Sequence, residues 1–287
     1  MKTHQRLQVL LEDGLIDSVE ATLKTGKEAE VYLVRAQGEL CCAKVYKDAK
    51  HRTFRQAVMY REGRKVRDSR RARAMNKHSR FGKHEQEEVW HSSEWSTLQA
   101  LSRAGVRVPR PRALYEGVLL LDLIAAEDGG PAPRLHDVGN LSADTAQLLH
   151  AELLRDVVRM LCAGYVHADL SEYNILLDAE GPVIIDFPQA VDAAANLHAR
   201  QLLLRDVARL GEFLGRFAPG LRETPYGEEI WSLYEEGQLS VETELTGQLR
   251  RAPSPVDLRG VMREIRSVLA EEAARLRALR ERALDAD

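Results

Sequence analysis

The sequence has few cysteines and no long apolar segment. Its three cysteines are Cys41, Cys42 and Cys162, and this spacing excludes a disulfide scaffold and a zinc site built from two cysteine pairs. No unbroken apolar run exceeds four residues, whereas a membrane-spanning helix needs roughly 20. Residues 1–6 lack the apolar stretch of a secretory signal. We therefore expect a cytoplasmic protein with no membrane partner.

The formal net charge is only −3 over 287 residues, but the charge is distributed unevenly. Residues 50–83 contain thirteen Lys or Arg and two acids, a local charge of +11 that leaves −14 for the rest. Without apolar periodicity, this composition predicts an exposed, flexible basic loop over 50–84. Three interpretations stay open: a solvated loop, a contact with RNA or a ribosomal particle through phosphate neutralisation, and a docking or autophosphorylation segment.

Apolar spacing and turn residues place strands early in the chain and helices later. The predicted elements are a helix over 7–15, strands over 29–35 and 40–46 joined at Gln37-Gly38, a helix over 87–102, a strand over 118–124, a helix over 145–164, strands over 175–177 and 183–185, a helix over 202–217 and a long charged helix over 256–283. This order predicts an α+β fold with a small sheet lobe and a larger helical lobe. We assign 1–124 to the first lobe, 125–217 to the second and 218–287 to a helical extension.

The sharpest local pattern is the string HADLSEYN at 167–174, followed by Asp186 after the apolar segment 183–185. Phosphoryl transfer needs a carboxylate that orients the attacking hydroxyl and hard oxygen ligands that hold Mg²⁺ against the phosphates. Asp169 and Asn174 can present a base and an amide oxygen to one point, and Asp186 can add a metal carboxylate. Each residue type also closes turns, but the ordered set is the pattern of kinase catalytic and metal-binding residues.

A lysine interrupts an otherwise apolar strand. Lys44 lies in the segment CAKVY at 42–46, and because an unpaired buried lysine is costly, we expect it to have an anionic partner. Glu94 on the helix predicted over 87–102 is the candidate, although Glu87 and Glu88 are close to it in sequence.

The turn before the first predicted hairpin could contact phosphate. Gly26 lies between Thr25 and Lys27 and precedes a strand. Such a turn can cradle phosphate with its backbone N–H groups, but it matches neither the Walker loop nor G-x-G-x-x-G. Taken alone, it is a common lead into a hairpin.

Together these motifs resemble the RIO family of atypical serine protein kinases, in the branch with S/T-G-K-E-A in the phosphate loop, and a prokaryotic member of it. The matching pieces are TGKEA at 25–29, AKVY at 43–46, PAPRL at 131–135, HADLSEYN at 167–174 and IDFPQAV at 185–191. The resemblance implies a two-lobed kinase fold that lacks the activation loop and the peptide-docking subdomains of ordinary protein kinases. It also implies ATP and Mg²⁺, or Mn²⁺ in its place, in the cleft.

The resemblance further implies a role for each matching residue. Asp169 is then the catalytic aspartate, and Asn174 and Asp186 are the metal ligands. The implied ATP-binding residues are Thr25, Gly26, Lys27, Glu28, Lys44 and Glu94, with Leu121, Asp122 and Ile124 at the hinge that meets adenine. His167, Ser171 and Asp206 are implied as supporting residues, Asp206 as the helical aspartate that braces the catalytic loop.

We therefore expect an ATP- and Mg²⁺-dependent serine/threonine protein kinase that also autophosphorylates and whose protein substrate is unidentified. One alternative is an ATPase-like switch acting on a ribonucleoprotein, which the missing docking subdomains suggest. A small-molecule kinase of the aminoglycoside type shares H-x-D-x-x-x-x-N but does not carry TGKEA with this downstream string. The intact set of Lys44, Asp169, Asn174 and Asp186 argues against a non-catalytic RNA-binding scaffold.

Overall fold

The computed structural model describes residues 5–26, 29–47 and 80–248, and of residues 80–91 only the backbone. The helices of this part are α1 Gln5–Glu12, α2 Arg80–Arg103, α3 Ala143–Cys162, α4 Ala199–Leu214 and α5 Tyr226–Glu235, with short 3₁₀ turns at Leu135–Asp137, Glu172–Asn174 and Pro219–Leu221. The strands are β1 Ser18–Thr25, β2 Ala29–Ala36, β3 Glu39–Tyr46, β4 Pro111–Tyr115, β5 Val118–Asp122, β6 Tyr165–Val166, β7 Ile175–Asp178, β8 Gly181–Ile184 and β9 Val191–Asp192.

The small lobe is a five-stranded antiparallel sheet with the order β1-β2-β3-β5-β4. The hairpin predicted between β2 and β3 is confirmed, in a register that runs from Ala36 opposite Glu39 to Ala29 opposite Tyr46. Its two turn residues, Gln37 and Gly38, have φ of 53° and 79°. Two positive φ angles define a type I′ turn, whose twist matches that of paired strands.

Helix α1 covers one face of this sheet. It ends at Glu12 rather than at the predicted residue 15, because Gly14 adopts φ of 67° and closes a Schellman motif. In this motif the N–H of Gly14 donates to Leu11 at 3.2 Å and that of Leu15 to Leu10 at 2.9 Å.

Strand β3 separates the core of the small lobe from the cleft. Cys41, Ala43 and Val45 are buried in the hydrophobic cluster that contains residues of α1. Because side chains alternate along a strand, Cys42 and Lys44 lie on the opposite face of the sheet. The alternation therefore directs the lysine away from the apolar core and toward the second lobe.

The larger lobe is mainly helical, and with the sheet lobe it confirms the predicted two-lobed α+β fold. Its core combines α3, α4 and α5 with the hairpin β7–β8, and Leu98 and Leu101 of α2 join the same cluster. Only residues 187–198, with the short strand β9, separate Asp186 from α4. This connection is too short for a long activation loop.

Several predicted boundaries were wrong. Helix α2 begins at Arg80, so residues 80–84 of the predicted basic loop are helical. Strands β1, β4, β6 and β9 were not predicted. Helix α5 lies in the predicted helical extension, without predicted bounds, and contributes Ile230 and Trp231 to the core of the larger lobe. The rest of the basic loop and the helix predicted over 256–283 lie outside the described residues. Among the helices the structure does describe, none has the length and apolar character needed to cross a bilayer.

A buried histidine in the larger lobe makes stability depend on pH. His150 of α3 is only 2% exposed, and its ring lies 5.6 Å from that of Tyr226. Burial lowers the pKa of His150 to about 4 from 6.5. The unfolded chain therefore binds this proton more readily than the folded one, so the contribution to stability is present above pH 6.5 and is lost as the pH falls toward 4.

We expect acidification from pH 7 to pH 5 to cost the wild type about 2 kcal/mol more than it costs His150→Gln. Urea denaturation of both proteins at the two pH values measures this difference. The comparison uses the pH dependence and not the absolute stability, because glutamine itself changes the packing. Equal pH dependence in the two proteins would show that His150 is not held neutral by the fold.

Candidate active site

The loop that follows β6 brings Asp169 and Asn174 together. Asn174 ends a 3₁₀ turn that begins after Ser171, whose carbonyl accepts the Asn174 N–H at 2.9 Å. The buried Asn174 side chain donates from Nδ2 to the Asp169 carbonyl at 3.0 Å. This bond orients the amide and keeps Asn174 beside the backbone of Asp169.

Asp206 of helix α4 holds the backbone of the same loop. Its Oδ2 accepts the Ala168 N–H at 2.7 Å and its Oδ1 the Leu170 N–H at 3.2 Å, while Arg205 donates to the Ala168 carbonyl. Burial raises the pKa of Asp206 to about 7, against the opposing effect of Arg205 and the two N–H groups. Ala168 has φ of 66°, a conformation that an alanine keeps only where its surroundings hold it there.

We expect Asp206→Ala to lower the free energy of unfolding by about 3 kcal/mol, because two backbone N–H groups lose their acceptor at a buried site. Asp206→Asn retains one acceptor oxygen and should lose less. Urea denaturation of the two variants beside wild type measures the effect. An alanine variant as stable as wild type would contradict this role.

The cation on β3 meets two acids from different elements. Lys44 Nζ lies 2.8 and 3.0 Å from the carboxylate oxygens of Glu94 on α2 and 2.6 Å from Oδ1 of Asp186. Tyr46 also donates to Glu94. Burial alone would lower the pKa of Lys44, but Asp186 and Glu94 outweigh it and raise that pKa. Burial opposes ionisation of Asp186 too, yet Lys44 lowers its pKa, so the group is a charged cluster.

His167 connects the catalytic loop with the strand end that carries Asp186. The Asp169 N–H donates to His167 Nδ1 at 3.3 Å, so the ring proton is on Nε2, which donates to the Ile185 carbonyl at 3.1 Å. Burial lowers the pKa of His167 and keeps the ring neutral. The Phe187 ring packs with its centroid 4.7 Å from that of the His167 ring. The backbone N–H of Phe187 donates to Glu94 Oε1 at 3.1 Å. Buried contacts thus join the catalytic loop to the segment that carries Asp186 and to the Lys44–Glu94 pair.

The predicted phosphate turn is only partly described. Thr25 ends β1, and the Gly26 N–H donates to the Ala29 carbonyl at 2.9 Å across the turn. A Cβ on Gly26 would lie 3.1 Å from that carbonyl oxygen, so the close approach favours glycine. Lys27 and Glu28 lie outside the described residues.

The three residues predicted at the hinge lie at and just after the end of a strand. Leu121 and Asp122 end β5, and Ile124 follows two residues later. The Asp122 carboxylate pairs with Arg112 and its N–H donates to the Arg110 carbonyl at 2.9 Å, so this N–H cannot also serve adenine. The Ile124 carbonyl already accepts the Ala132 N–H at 2.9 Å. A carbonyl oxygen can accept a second hydrogen bond, and contact of this segment with adenine stays a prediction.

An open cleft of about 560 Å³ lies beside the catalytic loop and Asp186. Its lining includes Asp169, Ser171, Asn174 and Asp186 of the prediction, together with residues that sequence reasoning missed, namely Lys24, Glu172, Tyr173, Arg209, Glu212, Phe213 and Arg216. Burial lowers the pKa of Lys24, and the positive charge of Arg134 lowers it further. Lys24 pairs with Val31 and Val31 with Lys44 across the sheet, so both lysines lie on the cleft face.

The donor set suits a divalent cation held partly by phosphate. Among the described residues, no group of three His, Cys, Asp or Glu lies close enough to hold a metal ion. Asn174 donates through Nδ2 and lines the cleft, and its Oδ1 has no hydrogen-bond partner in the part of the chain described. An amide oxygen and one carboxylate, completed by phosphate oxygens and water, are the ligands that Mg²⁺ takes at nucleotide sites.

A small antiparallel lobe with a Lys–Glu pair, a loop Asp–Asn pair and an aspartate after a second hairpin define a phosphotransfer site of the protein-kinase type. Residues 30–225 match the family model described as the RIO domain. The chain belongs to the RIO family of atypical serine/threonine protein kinases. Enzymes of this kind use ATP and a divalent metal in general.

Known relatives agree with this family. The chain is 33% identical over 218 residues to the RIO-type serine/threonine-protein kinase Rio1 of Haloferax volcanii, an alignment covering 75% of this chain and 69% of that protein. It is 31% identical over 217 residues to the human serine/threonine-protein kinase RIO1, covering 75% of this chain and 36% of that protein. Another relative is the Rio1 kinase of Thermoplasma acidophilum, with 34% identity over 125 residues, 44% of this chain and 63% of that protein. The two archaeal proteins accord with the expected prokaryotic member, while the chain spans little more than a third of the human relative's length.

Proposed function

We propose that this chain transfers the γ-phosphoryl group of ATP to a serine or threonine hydroxyl of a protein, including its own. The observation that supports this most strongly is the geometry of the cleft. Asp169, Asn174 and Asp186 line it, and Lys44 of a third segment lies 2.6 Å from Asp186. Membership of the RIO family and similarity to serine/threonine-protein kinases support the same activity.

Lys44 binds phosphate oxygens in this proposal, and Glu94 holds it in place. In the transfer step the hydroxyl oxygen forms a bond to the γ-phosphorus while the bond between that phosphorus and the β–γ bridging oxygen breaks. ADP leaves with the electron pair, and the hydroxyl proton passes to the Asp169 carboxylate. When bound, Mg²⁺ neutralises charge on the phosphate oxygens, and Asn174 and Asp186 would hold it.

Product analysis distinguishes this proposal from an ATPase-like switch. The protein is incubated with γ-labelled ATP and Mg²⁺, and label on serine or threonine is counted against free phosphate. The proposal predicts that label accumulates on serine or threonine side chains. This labelling should be lost when Asp169 is replaced. Phosphate release without labelled protein would favour the ATPase alternative.

The RNA contact proposed for the basic loop remains a prediction, since residues 48–79 lie outside the described part.

A further inference from the structure

A cation outside the sequence motifs contacts the predicted catalytic carboxylate. Arg209 Nη1 on α4 donates to Asp169 Oδ1 at 3.0 Å. The Asp169 side chain is 51% exposed and that of Arg209 37%. A pair with so much solvent contact contributes little to the stability of the fold, so its effect has to be sought in the geometry of the site.

The other contacts of the loop leave this carboxylate free to rotate. Asp206 and Arg205 hold the backbone of Ala168 and Leu170, and Asn174 holds the Asp169 carbonyl. Each of these bonds fixes main-chain atoms, whereas the side chain of Asp169 turns about two further bonds. In the region the structure describes, Arg209 is the residue that donates to its carboxylate.

Helix α4 therefore aligns the loop and the carboxylate together. Arg209 follows Asp206 by three residues, and residues three apart lie on the same face of a helix. Arginine adds a planar group whose hydrogen-bond directions are fixed. With Oδ1 held from the helix side, Oδ2 has no hydrogen-bond partner among the described residues and is the oxygen left for an acceptor hydroxyl.

We propose that Arg209 is a positioning residue for phosphoryl transfer, which holds one oxygen of Asp169 so that the other meets the acceptor hydroxyl. This inference rests on the proposed function. It identifies a contribution from α4 that is separate from the bracing of the backbone by Asp206. It also predicts that losing Arg209 affects the transfer step more than the binding of nucleotide.

The test compares Arg209→Met with Arg209→Lys, which keeps a donor, and with Arg200→Met, the same change at an exposed position of the same helix. We expect Arg209→Met to lower kcat about 10- to 100-fold, with KM for ATP changed less than about threefold and Tm unchanged. Arg209→Lys should recover part of the loss, and Arg200→Met should match wild type. A kcat for Arg209→Met within about twofold of wild type, or above it, overturns the proposal.

A double variant tests whether Arg209 acts through Asp169. If it does, adding Arg209→Met to Asp169→Ala should leave the residual rate unchanged, because no carboxylate remains to be held. A further loss in the double variant would show that Arg209 acts elsewhere, and would overturn the positioning role. Wild type without Asp169-dependent transfer would overturn the proposed function and this inference together, whereas Asp169-dependent transfer that is indifferent to Arg209 overturns the inference alone.

Discussion

Replacing Asp186 with asparagine is expected to lower the rate of phosphoryl transfer by about 10³-fold or more, equivalent to ~4 kcal/mol of transition-state stabilisation. The substitution removes the one carboxylate that the proposed metal site has and the partner that lies 2.6 Å from Lys44 Nζ. Glu94 still holds Lys44 in the variant, so the fold should tolerate the change. The loss should therefore appear in metal-dependent nucleotide binding and in the transfer step.

The measurement is a single-turnover rate with γ-labelled ATP at several Mg²⁺ concentrations. Asp192→Asn is a matched control, because Asp192 is an exposed acid on β9 whose Oδ1 accepts the Ala194 and Ala195 N–H groups, which asparagine can also do. The control should transfer at the wild-type rate. If Asp186→Asn kept the wild-type rate and Mg²⁺ dependence, Asp186 would not be the metal ligand.

Asp169→Asn is expected to slow transfer by about 10²- to 10⁴-fold, the usual loss when a general base is removed. Asparagine keeps an oxygen that can accept from Arg209, so the variant changes the charge and basicity of the group with little change of shape. Asp169 has no contact with Lys44 or Glu94 among the described hydrogen bonds. We therefore expect the affinity for the Mg²⁺–nucleotide to stay within about threefold of wild type.

Nucleotide titration and single-turnover transfer, measured on the same preparation, separate the two aspartates. Asp186→Asn should impair both quantities and Asp169→Asn only the second. A loss of nucleotide affinity in Asp169→Asn as large as its loss of rate would assign this residue to binding. The contrast follows from their positions, because Asp186 pairs with Lys44 while Asp169 pairs with Arg209 of α4.

Local patterns predicted the elements whose signals lie within a few residues. The β2–β3 hairpin has its turn residues at Gln37 and Gly38 and a continuous register. Strand β1 was missed because it is an edge strand, interrupted by two irregularities in its pairing, and has no buried residue that would mark an apolar face. Strand β4 begins at Pro111, and proline is tolerated at the first position of an edge strand, although in sequence it indicates a break.

The residues of the candidate site also fall into two groups, those that local sequence spacing predicts and those that only the fold brings together. The string that contains Asp169 and Asn174 lies on one loop, and a short hairpin brings Asp186 back to it, so spacing alone indicated their meeting. Lys24 could not be placed without β1, since its position on the same face of the sheet as Lys44 depends on the register of three strands. Arg209 gave no signal because an arginine in a charged helix is ordinary. Only the packing of α4 against the catalytic loop brings it within 3.0 Å of the carboxylate.

The most direct test of the proposed chemistry is a side-by-side measurement of γ-phosphoryl transfer to protein serine and threonine by wild type, Asp169→Asn and Asp186→Asn under saturating ATP and Mg²⁺. We expect transfer by wild type and a rate lower by about 100-fold or more in each variant. Labelling of hydroxyl residues at the wild-type rate in both variants would contradict it, because the phosphoryl group would then be transferred somewhere other than this cleft.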